Sequence, residues 1–173
     1  MGKHLVVKLA IIYATKHGCT AEIASLIAQL HPNDEATLVS LKTNPHPDLT
    51  PFDVVILGGP VYFGQPLPAF RQFIQNHTAE LASKPLGIFL VGLNEKAARQ
   101  SFEKVVPQRL INHAYAVAFV GGVLSFKTLS FWEKWLVKLV KGVGQELTLF
   151  KPERLKILQY KRNTDSLTPL AVE

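Results

Sequence analysis

The run Ala14-Thr15-Lys16-His17-Gly18-Cys19-Thr20 places two hydroxyls, a lysine, a histidine and one glycine within a few positions. Between a strand and a helix, such a loop can hold an anion. Backbone N–H groups of the loop and of the helix's first turn have no intrahelical partners, and the helix dipole adds to their pull on negative charge. Thr15 and Thr20 supply hydroxyl donors, and Gly18 lets the backbone come close to a phosphate. Lys16 adds charge or lies solvated at the surface, and His17 bonds a phosphate or points to water. Residue types alone leave a second reading open, an ordinary turn in which Thr20 caps the helix. The loop carries neither G-x-x-x-x-G-K-[ST] nor G-x-G-x-x-G, which disfavours ATP and NAD as occupants.

Two further segments bear on that choice. Gly58-Gly59-Pro60-Val61-Tyr62-Phe63-Gly64 follows one apolar run and Gly92-Leu93-Asn94 follows another. Tyr62 and Phe63 in a glycine-rich loop suit a flat aromatic ring, which wants stacking faces and backbone hydrogen bonds. Taken singly, each segment could equally be core or turn packing. If all three loops emerge at one edge of a sheet, a flavin site is the better account. Phosphate contacts then fall to Thr15, Lys16, His17, Gly18, Cys19 and Thr20, and ring contacts to Pro60, Val61, Tyr62, Phe63, Gly64, Gly92, Leu93 and Asn94.

Other chemistry is weakly represented. His4, His31, His46, His77 and His113 are scattered without ligand spacing, so no metal site is expected. The single cysteine, Cys19, excludes an internal disulfide and suits a reducing compartment. At a helix start its thiol pKa could be lowered, but a flavin site does not need it. It reads as a tolerated small residue. No Ser-His-Asp order and no paired catalytic carboxylates are evident, as befits a protein whose cofactor carries the redox chemistry.

The elements that must position these loops follow from hydrophobic patterning. Leu5–Ala14, Phe52–Gly59, Leu86–Leu93 and Tyr115–Leu124 are nearly continuous apolar runs, the signature of strands buried on both faces, and Ala36–Leu41 is a shorter strand. A Gly-Gly-Pro breaker ends the Phe52 run. Between strands, Ile23, Leu26, Ile27 and Leu30 share one helical face, and Phe70, Phe73 and Ile74 mark a second helix over Pro68–His77. A third pattern, Glu95–Asn112, must kink or divide at Pro107. Alternation of this kind implies βαβ crossovers. The expected fold is flavodoxin-like three-layer α/β/α, with a five-stranded parallel sheet in doubly wound order 2-1-3-4-5. One domain over residues 1–162 and a loose tail over 163–173 account for the 173 residues.

A basic stretch stands apart. In Ser130–Val143, Phe131, Trp132, Trp135, Leu136, Leu139, Val140 and Val143 lie on one helical face and Lys134, Lys138 and Lys141 on another. It reads either as a core-facing helix with a solvated basic side or as an interfacial helix on an anionic bilayer. It is too short to span, and no apolar run nears the ~20 residues that a spanning helix needs. The N-terminal run is too short and too interrupted by Lys8 for a cleavable signal. The chain carries a net charge of +6, but its basic residues form no tract interleaved with aromatics, so nucleic acid is not expected.

Here a family resemblance enters. The loop resembles the flavodoxin signature [T/S]-x-T-G-x-T, matching at Thr15, Gly18 and Thr20 and departing at His17, where flavodoxins usually carry Thr. TKHGCTAEIA from Thr15, with FDVVILGGPVYFGQPLPAFRQFI from Phe52, more closely resembles the FMN-dependent, quinone-linked protoporphyrinogen dehydrogenases of bacterial haem synthesis. The resemblance runs from about Val6 to Glu146. It implies FMN as cofactor, a hydride passed from porphyrinogen to flavin, and electrons passed on to a quinone. It also implies an inserted segment after the fifth strand, linked to activity and membrane contact, which places Lys127, Trp132, Trp135 and Lys138 near substrate or membrane. A cytoplasmic protein, peripheral on the inner face of the membrane, is the corresponding location, and self-association is left open. The departure is at the tail, where the fold's last long helix is reduced to Pro152–Lys161 at most. Two alternatives remain: a flavodoxin-type electron carrier, disfavoured because carriers resemble one another in being acidic, and an NAD(P)H:quinone reductase on the same fold.

Overall fold

The computed structural model describes residues 6–62, 64–124, 147–148 and 150–161. Strand β1 (Lys8–Tyr13) leads into helix α1 (Cys19–Gln29), β2 (Glu35–Ser40) and β3 (Val54–Tyr62). A two-residue β4 (Gln65–Pro66) precedes α2 (Pro68–Leu81) and β5 (Leu86–Val91). Then come α3 (Glu95–Val105), α4 (Gln108–His113) and β6 (Ala116–Gly121), followed by the short β7 (Val123–Leu124) and β8 (Leu147–Thr148) and a 3-10 segment over Pro152–Leu158. The principal sheet runs β2-β1-β3-β5-β6 with every neighbouring pair parallel. With β4 recognised as a short antiparallel return on β3, this is the doubly wound order expected from the sequence.

Both sheet faces are covered, which is why the strands lack polar alternation. Leu9, Ile11, Val54, Ile56 and Phe89 pack with Ile23 and Ile27 of α1, together with Leu155 and Leu158. Ala10, Ile12, Val55, Leu57, Ile88 and Leu90 pack on the other side with Phe70 and Phe73 of α2, Phe102 of α3 and Leu110 of α4. Each fully buried aromatic contributes about 1.5–3 kcal/mol relative to exposure. The start of β1 is pinned by two carboxylates. Asp34 Oδ1 accepts from Val7 N–H at 3.1 Å and Asp53 Oδ2 from Lys8 N–H at 2.9 Å.

Several expected boundaries are corrected. Strand β3 does not stop at Gly58-Gly59-Pro60 but continues through them to Tyr62. A Cβ at Gly58 would collide with the Phe89 ring, and one at Gly59 would lie 2.8 Å from Phe70. The glycines are therefore clearances for aromatic rings on opposite faces, not a chain break. Helix α2 extends past His77 to Leu81, although His77 itself is non-helical. The Glu95 pattern divides around Pro107, as its missing N–H and fixed φ require. The Tyr115–Leu124 run is interrupted by Gly121, whose φ is +74°, and the ladder shifts register between Leu90 and Val91. That bulge releases Val123–Leu124 from the main sheet to pair with Leu147–Thr148.

The chain's last described stretch replaces a long final helix. Leu155 and Leu158 are buried against the α1 side. Lys151 N–H donates to Val120 O at 2.9 Å and Arg154 Nη1 to Phe119 O at 2.9 Å, covering the outer edge of β6. At the opposite end, the Tyr115 hydroxyl donates to Leu158 O at 3.0 Å. Tyr160 N–H donates to His31 Nε2 at 3.0 Å. That bond fixes the buried imidazole as the tautomer with its proton on Nδ1, which donates to Ile27 O at 3.0 Å.

Candidate functional site

Because β1, β3, β5 and β6 are parallel, the segments that follow them emerge at one edge, where open α/β sheets bind ligands. After β1 the chain turns through Thr15, whose Oγ1 accepts from Gly18 N–H at 3.0 Å. Gly18 is the N-cap of α1 at φ 91°, a conformation that L side chains rarely adopt. Among the described residues a Cβ built there meets nothing within 4 Å, so the glycine answers to backbone conformation. Thr20 is buried in the first turn. It is not the cap, a position that Gly18 takes. Lys16 is exposed, while His17 and Cys19 are partly covered.

The second segment completes β3. Val61 is buried and Tyr62 half-buried. Gly64, at φ +75°, turns the chain so that Gln65–Pro66 runs back along Val61–Tyr62. On the far side of this turn, Ser101 Oγ of α3 lies 3.4 Å from where a Gly64 Cβ would sit. The first and second loops meet through their rings, with His17 and Tyr62 at 5.7 Å and an interplanar angle of 84°.

The third segment lies against the second. A Cβ at Gly92 would approach Val61 O to 3.2 Å. Asn94 is the N-cap of α3, its Oδ1 accepting from Ala97 N–H at 2.9 Å. A side-chain bond from Asn94 toward a ligand is therefore a donation from Nδ2. The next residue, Glu95, is held between Arg154 Nη1 at 2.8 Å and Arg99 Nη2 at 3.1 Å. The hydrogen bond from Arg154 keeps its carboxyl below the usual glutamate range despite some opposing burial. Glu95 thus carries its charge in a paired form at the rim of the site.

The structure brings together Thr15, Gly18, Thr20, Tyr62, Gly64, Gly92 and Asn94 on one edge. Sequence reasoning missed Gly121 and Gly122. Gly92 N–H donates to Gly121 O at 3.1 Å, and a Gly122 Cβ would stand 3.5 Å from Gly92 N. A Gly-Gly pair closing an apolar strand was the available signal, the same punctuation seen at Gly58-Gly59. Ser101 carried no sequence signal, since only the fold brings α3 to the Gly64 turn. Phe63, Lys127, Trp132, Trp135 and Lys138 lie outside the described residues, as do the rest of the proposed helix 130–143 and the tail 163–173. The pairing of β7 with β8 nevertheless returns the chain, after residues 125–146, to the end of β6 beside the site. Among the described residues no helix is long and apolar enough to cross a membrane, and no group of three His, Cys, Asp or Glu could hold a metal ion.

Known proteins carry the same framework. A curated relative, protoporphyrinogen IX dehydrogenase [quinone] of Escherichia coli K12, is 26% identical over 145 residues, covering 77% of this chain and 78% of its own. The crystal structure of oxidised flavodoxin 2 from Bacillus cereus superposes with a TM-score of 0.50 and 26% identity, covering 66% of this chain and 81% of that one. The solution structure of two-electron reduced Megasphaera elsdenii flavodoxin gives 0.54 at 18% identity, covering 64% and 84%, a likeness of fold. The flavodoxin domain model matches residues 10–148, a span that includes all three converging loops, and the chain belongs to the flavodoxin domain family.

Proposed function

We propose that the chain is an FMN-dependent oxidoreductase that oxidises a porphyrinogen and delivers the electrons to a quinone. The convergence of the three loops supports the cofactor. The space around Gly18, where a built Cβ meets nothing within 4 Å among the described residues, fits a phosphate approaching the α1 N-terminus. Thr15 holds the loop, Thr20 and His17 flank it, and Tyr62 with the glycine edges at Gly64 and Gly92 would accommodate a planar ring. When bound, FMN supplies reversible two-electron exchange at its ring. The chain's own part is to bind and orient the ring at the sheet's edge, with Asn94 Nδ2 available as a donor beside it.

The substrate class is supported by the relationship to the protoporphyrinogen dehydrogenase, which spans most of both chains. The segment 125–146, which joins the paired β7 and β8 in sequence, carries Lys127, Trp132, Trp135 and Lys138. Lysines and tryptophans there suit a flat, apolar substrate rimmed with carboxylates and an acceptor dissolved in an anionic bilayer. On this reading the protein works at the inner membrane surface.

The test is anaerobic turnover of protoporphyrinogen IX with menaquinone by FMN-loaded protein, followed by porphyrin fluorescence. Porphyrin formed well above the free-FMN rate supports the proposal. Bleaching of the flavin by NAD(P)H, with no response to porphyrinogen, would transfer the protein to the quinone reductases. Inertness toward both substrates would leave an electron carrier.

A further inference from the structure

His31 follows the C-cap of α1 and is 3% exposed. Its Nδ1 donates to Ile27 O at 3.0 Å, and its Nε2 accepts from Tyr160 N–H at 3.0 Å. Upstream of Tyr160 the C-terminal segment is held by the buried Leu155 and Leu158 and by the bonds of Lys151 and Arg154 to β6. From Gln159 onward, three ties to the rest of the fold are left among the described residues. Gln159 Nε2 donates to Leu30 O at 2.9 Å, the Tyr160 ring lies 5.5 Å from that of Tyr115, and Tyr160 N–H bonds His31. The last tie alone uses a lone pair that takes up a proton near neutral pH. We propose that His31 is an acid-released latch: a proton on Nε2 frees Tyr160 and the chain that follows it, while Pro152–Leu158 stays docked. The latch sits at the edge of the sheet opposite the candidate site and does not depend on the FMN reading.

An imidazolium donates from both nitrogens and accepts at neither. Its Nδ1–H keeps the Ile27 bond, and the helix dipole favours a cation at the C-terminus of α1, whose last turn carries no basic residue. On the other side two N–H groups are set against each other, so the loss falls on Tyr160. The charged groups on the elements packed around the ring are Asp34 and Glu35 leading into β2, Lys8 on β1, and Lys156 and Lys161 on the C-terminal segment. Asp34 Oδ1 accepts from Val7 N–H, and Glu35 pairs with Lys8 at 4.0 Å. Among the described residues none of these groups bonds the imidazole. The Tyr115 hydroxyl, which donates to Leu158 O, is kept neutral by burial, which raises its pKa. Solvated imidazoles take up a proton at about pH 6.5. The open form therefore binds one proton more than the latched form, and the latch weakens by up to about tenfold for each pH unit below that value.

The experiment follows the full-length, isotope-labelled chain by NMR between about pH 7.5 and about pH 5. At the upper end the imidazole nitrogen shifts should show the Nδ1–H tautomer of His31. Over the range in which that signature is lost, the hydrogen-exchange protection of the Tyr160 amide, corrected for the intrinsic rate, should fall by about tenfold or more. The amide of Ile56, buried on β3, should stay protected throughout. His31→Gln keeps an acceptor that takes up no proton in this range, and should leave Tyr160 protection flat with pH. His31→Leu removes the acceptor and should leave Tyr160 unprotected at both ends. Where a variant fails to fold, the two wild-type readouts decide. Tyr160 protection that persists once His31 is protonated would overturn the inference, as would an Nε2–H tautomer at neutral pH. A fall in His31→Gln equal to that of wild type, or a loss at Ile56 in step with Tyr160, would also overturn it.

Discussion

Gly58 and Phe89 lie opposite each other in register on β3 and β5, and the Phe89 ring occupies the space that a side chain at position 58 would need. One residue further along β3, Gly59 gives the same clearance to Phe70 on the other face of the sheet, at 2.8 Å from its built Cβ. The strand that ends at Tyr62 is thus set by aromatic rings pressed on it from both sides. Gly58→Ala should lower stability by about 1–3 kcal/mol, the cost of overpacking a close-packed core. Gly59→Ala should cost less, since its clash is milder. Urea unfolding of the two variants checks the order; equal midpoints would show that the Phe89 ring can move aside.

Gly18 makes a different demand. With φ at 91° and open space beside it, Gly18→Ala carries no clash. It must still adopt a left-handed backbone, at about 1–2 kcal/mol. If this loop holds the FMN phosphate as proposed, that strain should lower FMN affinity by roughly tenfold, while Gly18→Asn, which tolerates this region better, should lower it less. Fluorescence titration measures both. Full FMN affinity in Gly18→Ala would show that the loop can bind phosphate in another conformation.

Glu95 links the site's rim to the C-terminal segment through Arg154. Its carboxyl is lowered in the folded protein, chiefly by the Arg154 hydrogen bond. The folded state therefore resists protonation more than the unfolded one. The stabilisation is complete above the ordinary glutamate value of about 4.3 and is lost as pH falls through the lower folded value. Partial exposure and salt keep it below about 1 kcal/mol. Glu95→Gln should accordingly flatten the acid limb of a melting-temperature profile and lower the neutral plateau slightly. An acid limb identical to wild type would remove Glu95 from the account.

How much of this could be read beforehand depended on the range of the interactions. Val54–Leu57 and Leu86–Val91 were legible as buried strands because continuous apolar runs need no partner to be recognised. Gly58-Gly59-Pro60 looked like a stop because its reason lies in Phe70 and Phe89, which only the fold brings alongside. The turn from β1 into α1 was legible in residue types, yet the identity of its cap was not. Thr20 has the right hydroxyl, but the backbone at Gly18 takes the cap position. The clasp of His31 on Tyr160 left no local trace, since it joins residues at opposite ends of the chain.

The basic segment offers an independent prediction. If Trp132 and Trp135 enter the bilayer interface, the paired substitution Trp132→Ala and Trp135→Ala should weaken cosedimentation with anionic liposomes by about a hundredfold or more, given about 1.5–3 kcal/mol for each buried aromatic. FMN affinity should be retained. Unchanged sedimentation, with a loss of stability, would place the tryptophans against the protein core.

The central claim is tested most directly in a single half-reaction. Anaerobic stopped-flow mixing of FMN-loaded protein with protoporphyrinogen IX should bleach the flavin absorbance far faster than it does with free FMN. Addition of menaquinone should then restore the oxidised spectrum. Bleaching no faster than that of free FMN would contradict the assignment of this site to porphyrinogen oxidation.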